Sequence, residues 1–404
     1  MTISHLNTRT NHISGDNQMS EAQNYDFKSD LIKYITALYP QKSHISLSEP
    51  IISKEDKQKV LGVLEDNMIS SYGPEVSKFE KLLADYCGTQ KVISVINGTA
   101  ALHLSLKALG IGENDEVITQ SYSYIAVPNA INYSGAEPVF IDNDISSLGI
   151  NSENLEKTIQ EQYEWDKNHL INKKTGKKLK AIIAVYAFGQ VYDVNAVKSV
   201  CDKYKIDLIE DAAEALGTFI NGKHAGSFGK LGVLSFNGNK ICSSGAGGGI
   251  ICNDDDLSQK IKHLSTTAKR VNKSGIDFDQ LGYNYRMANI NAALGLSQLN
   301  DIDKKLKAKA KLRRAYESFL DKYNYKLIGN ENTNNWLNSI LLNSKEEKIE
   351  LLNLARESNI QMESSWVYLP ETSFYKDAQV YNIANAKAIS DRIVQLPGSL
   401  DFEF

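Results

Sequence analysis

The strongest constraint on this chain is a rhythm. Between Lys91 and Cys252, short apolar runs of strand length alternate with segments of helix length. The runs Val92–Ile96, Glu116–Thr119, Pro138–Ile141, Ala181–Tyr186, Asp207–Ile209, Leu231–Phe236 and Gly249–Cys252 read as strands. Thr99–Leu109 and Val194–Tyr204 are among the helices between them. A helix between two strands carries the chain back to its starting end, so such strands pair in parallel and the expected class is α/β with a mostly parallel sheet. After Asp207 the strands come faster, and that part of the sheet is expected to be mixed or antiparallel.

At 404 residues the chain exceeds one small core. A helical stretch near Leu31–Leu38 precedes an extended segment ending at Pro50. Ser53 followed by Asp56 is a capping-box pattern for a helix running to about Asn67. A second helix carries Val76, Phe79, Leu82, Leu83 and Tyr86 on one face and stops at Gly88. Far downstream, one long charged helix is expected from about Asn291 to Lys322, leaving the large domain near residue 310. A strand at Ser339–Leu342 and helices at Lys345–Ser358 and Asn382–Arg392 then suggest a small α/β domain. The expected division is a flexible tail over 1–28, a large domain with an N-terminal extension over 29–305, and a small domain over 306–404.

A net charge of −4 with both signs dispersed gives no case for a nucleic-acid or anionic-membrane partner. The basic cluster Lys173-Lys174-Thr175-Gly176-Lys177-Lys178 is centred on glycine and reads as a solvated hairpin tip. Cys87, Cys201, Cys242 and Cys252 form no CxxC pair and read as buried reduced thiols. No apolar run approaches the ~18 residues of a membrane helix. Met1 to about Asn24 is polar and without an apolar h-region, so it reads as a tail, and the protein is expected in the cytoplasm.

Three stretches carry possible chemistry. Asn97-Gly98-Thr99-Ala100-Ala101-Leu102 lies between a strand and a helix, where small residues let backbone N–H groups face an anion. A plain tight turn explains it equally well. Glu210-Asp211-Ala212-Ala213-Glu214 follows a strand, at the end of the sheet where ligands collect. Asp211 there could ion-pair a protonated ring nitrogen, or simply cap the next helix. Ser235-Phe236-Asn237-Gly238-Asn239-Lys240, followed by a glycine-rich run, sets one lysine among small polar residues. A lysine becomes nucleophilic where desolvation or a cationic neighbour lowers its pKa, yet most lysines are surface solubilisers. The glycine run precedes a strand and not a helix, so it fails the context of a dinucleotide fingerprint.

In this order, and followed by Gly282-Tyr283-Asn284-Tyr285-Arg286, these stretches resemble the DegT-type nucleotide-sugar aminotransferases, a branch of the fold type I pyridoxal-phosphate (PLP) enzymes. The resemblance spans about Ile51 to Leu299. It implies a large domain with a mixed, mostly parallel sheet and a smaller C-terminal α/β domain. It further implies that Lys240 carries PLP as a Schiff base and shuttles the proton, and that Asp211 keeps the pyridine nitrogen protonated. Thr99 with the amides of Gly98 to Ala100, and Ser235, would bind the phosphate, with Asn237 also in the cofactor site. Tyr124 would stack on the cofactor face and Glu214 lie near the phenolic oxygen. Asn284 would reach the phosphate of a neighbouring subunit, implying a homodimer with shared sites.

Lysine at 240, where relatives that dehydrate their substrates have His, implies transamination: L-glutamate gives pyridoxamine phosphate, which aminates a keto sugar for surface polysaccharide or glycan. Tyr124-Ile125-Ala126-Val127-Pro128-Asn129 and Thr267-Ala268-Lys269 look most like the legionaminic-acid-type branch, which acts on UDP-linked 4-keto-6-deoxy-N-acetylhexosamines. Around Trp366 the chain departs from its relatives: Glu363 stands in an Arg place and Pro370 in a His place. The alternatives are a PLP enzyme with another acceptor or a dehydratase reaction, a non-catalytic scaffold, and, more remotely, a nicotinamide oxidoreductase.

Overall fold

The computed structural model describes residues 26–273, 275–364 and 366–400, so the stretch expected as a tail lies almost wholly outside them. Its main sheet contains β1 (Lys91–Val95), β2 (Asp115–Gln120), β3 (Glu137–Ile141), β4 (Lys178–Val185), β5 (Asp207–Asp211), β6 (Leu231–Ser235), β7 (Gly248–Cys252) and β8 (Gln379–Tyr381). Their order across the sheet is β1-β7-β6-β5-β4-β2-β3-β8. β7 runs antiparallel to both its neighbours, and every other adjacent pair is parallel. All seven expected strands are present, and the late antiparallel insertion is β7. The carboxyl ends of β1, β4, β5 and β6 therefore share one edge, bringing Asn97, Tyr186, Asp211 and Ser235 together from distant parts of the sequence.

Local chemistry sets the flanking helices. Lys54–Glu65 opens with a complete capping box: Asp56 N–H donates to Ser53 Oγ at 3.0 Å and Ser53 N–H to Asp56 Oδ2 at 2.8 Å. Pro74–Cys87 starts on proline and ends at Gly88, whose φ of 64° is the left-handed conformation glycine adopts most readily. The basic cluster is the exposed turn of an antiparallel connection, from His169–Asn172 into β4. All four cysteines are buried and unpaired. Among the described residues no helix is long and apolar enough to cross a membrane.

Two expected helices differ. The long one is interrupted at Asp301, giving Asn289–Asn300 and Ile302–Leu320. Asn300 and Asp301 are poor helix formers, and Asp301 leaves helical geometry at φ −100°, ψ 9°. Its carbonyl then accepts from Lys305 N–H and its carboxylate from Lys304 Nζ, so it starts the second helix. The last helix covers only Ala386–Arg392, because Asp142 accepts the N–H groups of Ala384, Asn385 and Ala386 and fixes its entry.

The described residues form two large apolar cores. The first surrounds the main sheet, with Val117, Ile182, Ile209, Val233 and Ile250 at its centre. The second joins Leu312, Tyr316, Leu320, Ile340 and Leu351 to Phe27, Leu31 and Ile35 of the helix Phe27–Leu38. Two segments thus cross the division expected from sequence. The N-terminal helix packs into the C-terminal core, because its stripe Phe27, Leu31, Ile35 meets the apolar face of Ile302–Leu320. β8, from the C-terminal region, extends the main sheet in parallel with β3.

Candidate active site

A cavity of about 510 Å³ opens at the carboxyl ends of the strands. Gly98, Thr99, Tyr124, Asp211, Glu214, Ser235, Asn237 and Lys240 all line it. The other two expected site residues do not. Ala100 is buried behind the turn, where its N–H donates to Asn97 Oδ1 at 2.7 Å as a helix cap. Asn284 is exposed and pairs through its backbone with Thr266, away from this chain's cavity.

Lys240 follows β6 in a turn closed by its own N–H to the Asn237 carbonyl at 3.0 Å. Its side chain is 13% exposed and lines the cavity. The amine lies 2.9 Å from Glu214 Oε1 and 4.1 Å above the centre of the Trp336 ring. Glu214 is held in turn by Phe188, whose N–H donates to Oε2 at 2.8 Å. Phe188 occupies left-handed backbone space at φ 55°, strained for a bulky residue and of a kind that clusters at functional sites. Its ring stacks on Trp366 at 4.3 Å, which holds the strained turn in place.

Asp211 ends β5, and turns rather than a helix follow it, so the capping reading is not realised. Its Oδ1 accepts from Ala213 N–H at 3.0 Å. Burial pushes its pKa up to about 6, with Glu214 adding to the rise while the Ala213 N–H and Lys240 oppose it. A carboxylate in this condition has unmet demand for a cation, and a protonated ring nitrogen would meet it. At the other end of the cavity, Gly98 opens the helix Gly98–Ala108 and presses against Ser235: a Cβ at 98 would stand 3.1 Å from Ser235 Cβ. The free N–H groups of a helix N-terminus beside two hydroxyls form an anion cradle. Lysine, buried acid and anion cradle together fit PLP.

Sequence reasoning missed much of the far wall. Trp336, Gln361 and Phe188 also line the cavity, as do Glu363 and Trp366, which the sequence had marked only as a departure from relatives. Gln361 donates to Glu363 Oε1 at 2.6 Å and accepts from Leu47 N–H at 3.1 Å. Pro370 is buried in a short helical turn and is not part of the wall. The scarcity of tryptophan, three in the chain, was the available signal for Trp336.

A mixed, mostly parallel sheet packed with helices, with this lysine and aspartate at its carboxyl edge, has the fold of the type I PLP-dependent transferases. The chain belongs to the DegT/DnrJ/EryC1/StrS aminotransferase family, whose model matches residues 50–403, and is a PLP-dependent sugar aminotransferase. It is 40% identical over 276 residues to a GDP-perosamine synthase of Caulobacter vibrioides, covering 68% of this chain and 70% of that one. It is 32% identical to the putative PLP-dependent aminotransferase EpsN of Bacillus subtilis, over 84% of this chain and 85% of that one. Among solved structures, a DegT/DnrJ/EryC1/StrS aminotransferase from Brucella abortus superposes with a TM-score of 0.78 at 27% identity, covering 86% of this chain and 91% of that one. These relatives carry the family and not the legionaminic-acid-type branch.

Proposed function

We propose that this protein moves an amino group from L-glutamate to a nucleotide-linked 4-keto-6-deoxy sugar, in the cytoplasm, for surface polysaccharide or glycan synthesis. The observation that carries this reading is the shared cavity in which the amine of Lys240, the buried carboxyl of Asp211 and the Gly98 helix N-terminus face one another. When bound, PLP supplies the electron sink that lets a proton leave the carbon bearing nitrogen. Lys240 would hold the cofactor and carry the proton at its amine, and Asp211 would keep the ring nitrogen protonated. Gly98, Thr99 and Ser235 would hold the phosphate, with Tyr124, Asn237 and Glu214 beside the ring. Trp366, Phe188 and Trp336 keep water from the reacting atoms.

Asn284, outside its own chain's cavity, reaches the phosphate of a second copy in a homodimer. Support comes from the surface near it: the loop Met68–Tyr72 and the paired strands Lys269–Asn272 and Gly275–Phe278 expose Met68, Ile69, Tyr72, Val271, Ile276 and Phe278, an apolar area suited to burial against another chain. The division into a large and a small domain near residue 305 belongs to the same reading, with the helix Phe27–Leu38 joined to the small domain.

The test is the near-ultraviolet and visible absorbance of the purified protein with PLP, before and after L-glutamate. A long-wavelength band that gives way to a shorter-wavelength one on adding L-glutamate is expected. Absence of any band after incubation with PLP would sink the reading. GDP-perosamine, offered as amino donor in the reverse direction, then separates a GDP-linked sugar from a UDP-linked one.

A further inference from the structure

Five chain segments are tied into a closed ring of hydrogen bonds around the peptide that carries Lys240. The carbonyl of Asn239, the residue before Lys240, accepts Ser48 Oγ–H at 2.8 Å from one side and Trp336 Nε1–H at 2.9 Å from the other. Lys309 is buried, and its amine donates to the carbonyls of Trp336 and Gly398. Gly398 N–H closes the ring by donating to the Leu47 carbonyl at 2.7 Å, next to Ser48. Lys309 has no carboxylate partner among the described residues, and burial, with the charge of Lys305 added, draws its pKa down to about 7. A buried ammonium bonded only to carbonyls is costly, and it fixes the geometry of the backbone it holds.

The ring's inward product is the indole. Trp336 is 4% exposed, and its face lies 4.1 Å from Lys240 Nζ, on a different contact from the 2.9 Å bond to Glu214. An ammonium over an indole face is attracted by its negative quadrupole, most strongly where water is excluded. The amine is therefore held from two sides, by a carboxylate and by a ring, while its own backbone is held by the same ring's N–H.

We propose that Trp336, clamped by Lys309, is a positioning residue for Lys240: it holds the amine in the cavity at the place where the cofactor aldehyde must meet it. This rests on the PLP reading of the cavity. Two rates on the full-length protein test it. One is capture of PLP by cofactor-free protein, followed by absorbance. The other is acetylation of Lys240 by an N-hydroxysuccinimide acetate, followed by peptide mass spectrometry, which needs no cofactor.

In Trp336→Leu the amine loses its cover but also its aim. Acetylation of Lys240 is expected to rise about five-fold, and PLP capture to slow by about five- to thirty-fold. A merely structural role for the ring would move both rates the same way. Trp336→Phe keeps a ring over the amine and loses the bond to Asn239, so it should fall between wild type and Trp336→Leu, and it serves if the leucine variant misfolds. Unchanged acetylation of Lys240 in these variants overturns the proposal whether or not PLP binds, and so does any change of both rates in one direction. A wild-type protein that never captures PLP, with the acetylation response intact, overturns the cofactor reading instead and leaves Trp336 as the residue that covers the amine.

Discussion

Asp211 is a carboxyl that folding makes harder to ionise. With its folded pKa near 6 and an unfolded value near 3.8, the folded cofactor-free protein binds its proton more tightly than the unfolded chain does. Its contribution to stability is present below the unfolded pKa and is lost as pH rises through the folded one. Relative to Asp211→Asn, the cofactor-free wild type should lose on the order of 3 kcal/mol between pH about 4 and about 6, read from urea midpoints. PLP should restore it only in wild type. Turnover of Asp211→Asn should fall on the order of a hundred-fold or more, since an amide cannot hold the ring nitrogen protonated. Lys240→Ala should lose the long-wavelength band and turnover together. At this scale the sequence was legible through the order of its motifs: Lys240, Asp211, Ser235 and Thr99, each ambiguous alone, line one cavity. It offered no more than the rarity of tryptophan for Trp336 and nothing for Phe188. Their positions follow from a strained backbone at Phe188 and from contacts made only in the fold, with Trp366 for Phe188 and with Asn239 and Lys309 for Trp336.

The turn after β1 shows how closely the elements approach around the site. A Cβ at Gly248, in β7, would fall 2.5 Å from the carbonyl carbon and oxygen of Asn97, both rigid backbone atoms. Gly248→Ala should therefore push the Asn97–Gly98 turn outward, costing about 1–3 kcal/mol and weakening PLP binding, measured by urea unfolding and cofactor titration. Gly62 lies inside the helix Lys54–Glu65, and a Cβ there meets nothing within 4 Å. Gly62→Ala should stabilise by about 0.5–1 kcal/mol in the same unfolding measurement and leave cofactor binding alone. Periodicity found β1 to β7, because strands buried on both faces read as continuous apolar runs, and it missed the partly exposed antiparallel pair Tyr163–Asp166 and His169–Asn172 beside β4. It ran through the break at Asp301, since the apolar side continues on both sides of it. It missed β8, three half-buried residues whose pairing depends on where the C-terminal region returns.

At the scale of the molecule, the first described helix is the part least predictable from its neighbours in sequence. Leu31 is fully buried, in a core whose other members begin at Leu312 except for nearby Phe27, Ile35, Tyr39 and Ile45. Leu31→Ala should cost about 2–5 kcal/mol, seen as earlier urea unfolding and faster proteolysis of the C-terminal region. The same arrangement has a consequence during synthesis. Ribosomes add about 5–20 residues per second, so Phe27, Leu31 and Ile35 leave the exit tunnel on the order of tens of seconds before their partners exist. Through that interval those side chains form an unshielded apolar stripe without the core that later covers it. The sheet around Lys240 can form first, and the last core to close is the one that takes back the chain's beginning.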